Sequence, residues 1–67
     1  MKIVYEAKCV ENGEFFVTTF KTKETDPKKL MRIGKELAIG WGGECYEVNK
    51  AEDQSRYSDI WDADDEN

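Results

Sequence analysis

The side chains that could act as nucleophiles in this chain are those of Cys9, Cys45, Ser55 and Ser58. Such a nucleophile needs a neighbouring base to take its proton, and the chain contains no histidine. The two cysteines also lack the Cys-x-x-Cys spacing of metal and redox sites, so we expect them to be small buried side chains in a reducing compartment. The sequence therefore predicts a protein that is not an enzyme and that has no metal or cofactor site.

Two further patterns are weaker candidates for chemistry. Glu44 and Glu47 could form an acid and base pair, but carboxylates on a short strand are usually solvated at a sheet edge. The glycine-rich segment 40–43 follows a predicted helix, whereas a phosphate-binding loop precedes one. Neither pattern predicts catalysis or phosphate binding.

Binding is the better supported chemistry, because acidic residues are concentrated at the end of the chain. Residues 1–51 hold nine basic and eight acidic side chains, whereas 52–67 hold one basic and seven acidic. Large side chains interrupt these acids and could anchor a partner protein that the charges attract. We therefore expect 52–67 to be a partly ordered acidic tail, with the last six residues disordered. The predicted contacts in it are Tyr57, Asp59, Ile60, Trp61 and Asp62.

The tail has a second interpretation, in which its large side chains fold back and cover the exposed sheet face. Its spacing of Gln54, Tyr57 and Ile60-Trp61 also loosely resembles the peptide pattern that binds sliding clamps. Carboxylates in place of phosphates would in addition permit DNA mimicry, although the near-neutral body lacks the acidic face that a mimic needs.

A basic stripe on the predicted helix supports an alternative function. Lys28, Arg32 and Lys35 share one solvent-facing side of that helix and could contact nucleic acid phosphates. The net charge of −5 opposes this, since an anionic protein repels nucleic acid. Weak nucleic-acid binding is therefore the second functional hypothesis.

The elements that must position these residues begin with a hairpin. Segments 2–10 and 15–22 are rich in β-branched and aromatic residues and flank Asn12-Gly13, the preferred pair for a type I′ turn. The turn places Glu11 opposite Glu14, and the register separates the two faces of the sheet. The predicted core face carries Ile3, Tyr5, Ala7, Cys9, Phe16 and Phe20. The other face is unusually apolar for a solvated surface, with Val4, Val10, Phe15 and Val17, of which Phe15 and Val17 are predicted partner contacts.

A helix should follow the hairpin. Asp26 can cap its first backbone N–H groups, and Pro27 suits the first helical position. Glycines 40, 42 and 43 predict an end near residues 39–41. The predicted sheet-facing stripe is Leu30, Ile33, Leu37 and Trp41, with Met31, Gly34 and Ala38 beside it.

Residues 44–50 alternate and predict a third strand with Tyr46 and Val48 in the core. Pairing with the first strand gives an α+β fold of ββαβ type, a three-stranded antiparallel sheet of order 2-1-3 with one helix on one face. Under that pairing Cys9 and Cys45 point to opposite faces, which argues against a disulfide. We expect one domain over 1–51, followed by the tail.

The order and size of the elements over residues 2–50 resemble small strand-strand-helix-strand proteins that bacteriophages use against host machinery, such as the phage inhibitor of bacterial RNA polymerase. This resemblance in layout implies a phage or mobile-element protein that binds, and inhibits, a host protein. No apolar run is long enough to cross a membrane and no signal peptide is evident, so we expect a cytoplasmic location. A homodimer formed through the open sheet faces is a third hypothesis.

Overall fold

The asparagine-glycine turn organises the sheet in the computed structural model, which describes residues 2–55 and 60–64. Strands β1 (Ile3–Glu11) and β2 (Glu14–Thr22) pair antiparallel on either side of the turn. Asn12 has a φ of 50° and Gly13 a φ of 82°, as a type I′ turn requires. The predicted register is confirmed over the whole hairpin.

Helix α1 (Pro27–Gly40) begins and ends where its capping residues predicted. The Asp26 carboxylate accepts a hydrogen bond from the backbone N–H of Lys28 at 3.0 Å. At the other end, Gly42 adopts a left-handed φ of 84°, which closes the last turn. Both ends of the helix are therefore determined by local residues.

The side of α1 that faces the sheet has small residues at its centre. Gly34 and Ala38 are buried there, and they allow a close approach of the helix to the strands. Trp41 was predicted to continue the stripe, but this is wrong, since Trp41 is 64% exposed. It occupies the C-cap position, where the chain leaves the helical path. The larger stripe residues pack on the core as predicted: Leu30, Ile33 and Leu37.

Strand β3 (Glu44–Lys50) pairs antiparallel with β1, but a bulge changes its faces. The register shifts by one residue next to Cys9, which lies opposite Cys45, so that Tyr46 becomes the extra residue. Cys45 is buried, whereas Tyr46 is 49% exposed on the other face. The predictions that the cysteines point to opposite faces and that Tyr46 lies in the core are both wrong; Val48 packs on the core as predicted.

A fourth strand makes the sheet mixed. Strand β4 (Trp61–Asp62) pairs parallel with β2 at Phe20 and Lys21, and the strand order is β3-β1-β2-β4. The predicted three-stranded antiparallel sheet is therefore the inner part of a four-stranded α+β structure. Disorder of the last six residues is wrong for 62–64, which belong to the described sheet edge, while 65–67 lie outside the described residues.

The core lies between α1 and the sheet. Phe20 is fully buried at its centre, and its ring stacks on that of Tyr5 with centroids 5.6 Å apart. The remaining buried members of the cluster are Ala7, Cys9, Leu30, Ala38 and Cys45. Side chains on the opposite sheet face are left outside this core.

Candidate functional site

An apolar patch lies on the sheet face opposite α1. Phe15 is 74% exposed and Val17 is 56% exposed. The ring of Tyr46 meets that of Phe15 edge to face, with centroids 6.0 Å apart and planes at 84°. Half-buried Val10 lies opposite Phe15 on β1. We call these four residues the open-face patch: Val10, Phe15, Val17 and Tyr46.

The open-face patch depends on both the hairpin register and the bulge in β3. The register accounts for Phe15 and Val17, which sequence reasoning found. Tyr46 was missed, because strict alternation placed it in the core. The signal was present in the sequence: Cys45 and Val48 are three residues apart, so both can face the core only if the strand contains an extra residue.

Charged side chains border the open-face patch. Lys8 and Glu47 form an ion pair at 3.3 Å between two half-exposed side chains. Hydrogen bonds from the Asn49 amide and from Lys8 lower the pKa of the Glu47 carboxyl. Beside them is a polar depression of about 420 Å³. Its charged lining residues are the acidic Glu6, Glu52 and Asp53 and the basic Lys8 and Lys50. An apolar centre with a charged border is typical of protein-binding surfaces.

The described end of the acidic tail is bound to the sheet. The Ala63 N–H donates to the Lys21 carbonyl at 2.9 Å. The Asp64 carboxylate accepts from the buried Thr22 hydroxyl at 2.6 Å and from the Lys23 N–H at 2.8 Å. The preceding acid, Asp62, forms an ion pair with Lys2. These carboxylates therefore anchor the tail to its own domain.

Gln54 also holds the chain after β3 against the sheet. Its side-chain carbonyl accepts from the Val4 N–H at 2.7 Å, and its amide donates to the Val4 carbonyl at 3.1 Å. Gln54 thus continues the β-ladder beyond Ala51, whose N–H donates to the same carbonyl at 3.0 Å. The Gln54 side chain is therefore already used within the domain, which weakens the resemblance to a sliding-clamp peptide.

The predicted partner contacts in the tail have different positions. Ile60 is half-buried, Trp61 is 51% exposed in β4, and Asp62 is bound to Lys2. Tyr57 and Asp59 lie outside the described residues. The exposed predicted contacts are thus Trp61 at the β2 edge and the two β2 residues of the open-face patch.

Acid should release the end of the tail. A hydrogen bond from Thr22 lowers the pKa of Asp64, and one from Lys2 lowers the pKa of Asp62. A carboxyl with a lowered pKa stabilises the bound state fully above its ordinary value of about 4, and this contribution is lost as the pH falls through the lowered pKa. We expect the Lys23 and Ala63 amide NMR signals to shift together below the ordinary pKa.

The control for this titration is Asp64→Asn, which has no carboxylate at this position to protonate. In this variant the NMR signal of the Lys23 amide should show no acid transition. Core amides such as that of Cys9 report global unfolding and separate it from release of the tail. A midpoint for Lys23 at or above the ordinary aspartate pKa would contradict the predicted anchoring.

The predicted nucleic-acid contacts lie on the other side of the molecule. Lys28, Arg32 and Lys35 are exposed on α1, which covers the opposite sheet face from the open-face patch. Lys29 beside them lies 4.0 Å from Glu24. The structure therefore does not bring the basic stripe and the predicted partner contacts into one site.

The two thiols are core residues. Cys9 and Cys45 are buried opposite each other, which confirms the prediction of small buried side chains. Burial, together with the neighbouring Cys45, raises the pKa of the Cys9 thiol to about 11. Cys9 is therefore a neutral thiol at physiological pH, and the thiolate is the nucleophilic form of cysteine.

Residues 2–55 and 60–64 contain no group of three acidic or thiol side chains arranged to hold a metal ion. Helix α1 is too short and too polar to cross a bilayer, and the described residues form no other helix.

No family model, curated protein or solved structure matches this chain.

Proposed function

We propose that this chain is a non-catalytic protein-binding domain that holds its partner on the open-face patch. The observation that supports the proposal is the exposed Phe15 ring, packed against Tyr46 on a sheet face that no described helix or strand covers. Exposed apolar patches of this kind on small monomeric domains are characteristic of interaction sites.

The contact between Phe15 and Tyr46 is what makes the patch suitable for binding. Burial of one large apolar side chain contributes about 1.5–3 kcal/mol, and aromatic anchors dominate the energetics of interfaces. Immobilising a free side chain costs part of that contribution. Since the two rings already pack against each other, less side-chain freedom is lost when a partner covers them.

The charge of the chain defines the chemistry of the partner. The net charge is −5, and the depression beside the open-face patch is lined by three acidic and two basic side chains. A partner with an apolar contact surrounded by basic residues fits this arrangement. Charge attraction of this kind mainly accelerates association, so the association rate should fall as the salt concentration rises.

The experiment compares two exposed apolar residues that differ in position. Phe15→Thr removes the anchor from β2 but keeps a good strand-forming residue. Ile39→Thr is the matched control, because Ile39 is 73% exposed on α1, far from the open sheet face. We expect affinity capture from a lysate, followed by titration of the purified partner, to show binding at least about 30-fold weaker for Phe15→Thr, as for an interface hot spot.

The control should bind like the unmodified chain. Equal losses for Phe15→Thr and Ile39→Thr would mean that the patch is not the recognition surface. Trp61→Ser tests the tail separately, and a loss with this variant alone would assign recognition to the β2 edge. A host protein as partner, its inhibition, a phage or mobile-element origin and a cytoplasmic location stay predictions from the sequence.

A further inference from the structure

The basic stripe runs along the outer side of α1. Its members, Lys28, Arg32 and Lys35, follow one another at spacings of four and three residues, which places them in one row on a helix. All three residues are exposed. The row is about 10 Å long, because a helix rises 1.5 Å per residue.

No described carboxylate neutralises the basic stripe. Elsewhere in the described chain, ion pairs are formed by Lys2, Lys8 and Lys29. The three cations of the stripe have no such partner within residues 2–55 and 60–64. This is unexpected in a chain that holds 15 acidic and 10 basic side chains. The stripe is therefore available to an anion from outside the molecule.

The stability of α1 does not account for the basic stripe. The N-terminal end of a helix is partly positive and favours acidic side chains, yet the first turn of α1 contains Lys28 and no acidic residue. Lys28 and Arg32 are four residues apart, and like charges at this spacing repel each other. Both effects oppose the helix, and a bound polyanion would offset both.

The acidic charge of the molecule is concentrated away from the stripe. Pro27–Gly40 holds four basic residues and one acid, a net charge of +3, so the rest of the chain carries −8 of the total of −5. Asp62 and Asp64 are bound at the β2 edge, whereas α1 packs mainly on β3 at the far side of the sheet. The charged border of the open-face patch lies beyond the core. Charges that far apart exceed the Debye length of about 8 Å at physiological salt and are largely screened.

We propose that the basic stripe binds the phosphate backbone of duplex DNA without reading its sequence. A duplex carries one phosphate charge per about 1.7 Å of its axis, so about six phosphates lie along the length of the stripe. Lysine and arginine contacts to phosphates position a protein on DNA but carry no sequence information. The row continues to Ile39, which is 73% exposed and has no side-chain hydrogen bond to offer a base edge.

The surroundings of the stripe favour a duplex over two other polyanions. Proteins that bind single strands stack the bases on aromatic side chains, and the row from Lys28 to Ile39 contains none. A helix that binds an anionic membrane places its apolar side in the lipid. The apolar side of α1 is packed on the sheet instead. A regular phosphate backbone needs neither feature.

The test is the salt dependence of DNA binding by the full chain, measured as the fluorescence anisotropy of a short labelled duplex. Each phosphate contact lowers the slope of log K against log salt by about 0.9, so three contacts predict a slope of about −2.7 between roughly 50 and 200 mM salt. Duplexes of unrelated sequence should bind equally well.

Three variants assign the binding to the stripe. Arg32→Gln removes the central cation and should make the slope shallower by about 0.9. Lys21→Gln is the matched control, because Lys21 lies between two buried residues of β2 and faces the open side of the sheet. It loses the same charge and should keep the slope. Glu36→Gln removes the acid of α1 and should tighten binding, which partial unfolding would not produce.

Equal changes of slope with Arg32→Gln and Lys21→Gln would overturn the proposal. So would the absence of binding at roughly 50 mM salt and 1 mM protein, or binding to phosphatidylserine vesicles but not to DNA. The inference does not depend on the open-face patch. Phe15→Thr leaves α1 unchanged and should bind DNA like the unmodified chain even if the proposed protein-binding function fails.

Discussion

Replacement of Phe20 by alanine is expected to leave much of the chain unfolded at 25 °C. Phe20 is fully buried, and its ring stacks on Tyr5 at 5.6 Å. Phenylalanine-to-alanine changes in a core cost about 3–5 kcal/mol, because apolar contacts are lost and a cavity remains. A domain of this length has a total free energy of unfolding of roughly 3–10 kcal/mol. The loss is therefore comparable to the whole stability of the fold.

The matched control is Phe15→Ala on the same strand. Phe15 is 74% exposed, so the same chemical change should reduce the free energy of unfolding by less than about 1 kcal/mol. Urea unfolding followed by circular dichroism measures both variants. Equal losses for the two would mean that Phe20 is not the centre of the core.

Gly34→Val is expected to lower the free energy of unfolding by about 1–3 kcal/mol. A Cβ atom at Gly34 would lie 2.8 Å from a methyl group of Val48 and 2.9 Å from the Cys45 sulfur, closer than such atoms approach. Both neighbours are short side chains on β3, so the strand or the helix must move to admit the extra atoms. Overpacking of this kind has a cost in this range.

Gly40→Val provides the control within the same helix, because a Cβ atom there meets no atom within 4 Å. Valine and glycine differ by only a few tenths of a kcal/mol in helix propensity. Thermal or urea unfolding should therefore separate the two variants by the cost of the contact itself. If Gly34→Val is as stable as Gly40→Val, then α1 does not pack as closely on β3 as the structure shows.

Local features of the sequence determined the hairpin and the helix. Asn12-Gly13 requires positive φ at two adjacent residues, and this alone sets the register of β1 and β2. Asp26 caps a helix whose first turn begins at the next residue. Phe15 and Val17 followed from the same register, so this half of the open-face patch was predictable. Each of these signals acts within a few residues.

Tertiary structure decided the bulge and the second half of the patch. The extra residue in β3 exists because Cys45 and Val48 both contribute to a core built by β1 and α1. Burial of both displaces Tyr46 to the open face, where it meets Phe15 across the central strand. Strict alternation along one strand contains no information on this choice.

Strand β4 was also decided by contacts between distant residues. It is only two residues long, too short for any period to show it. The buried Thr22 hydroxyl and the Lys23 N–H find their acceptor in Asp64, about 40 residues later in the sequence. Because a buried polar group without a partner is costly, this need places the acidic end of the chain against β2. The sequence by itself determined that the tail is acidic, whereas the fold decided that its residues 62–64 are bound to the sheet.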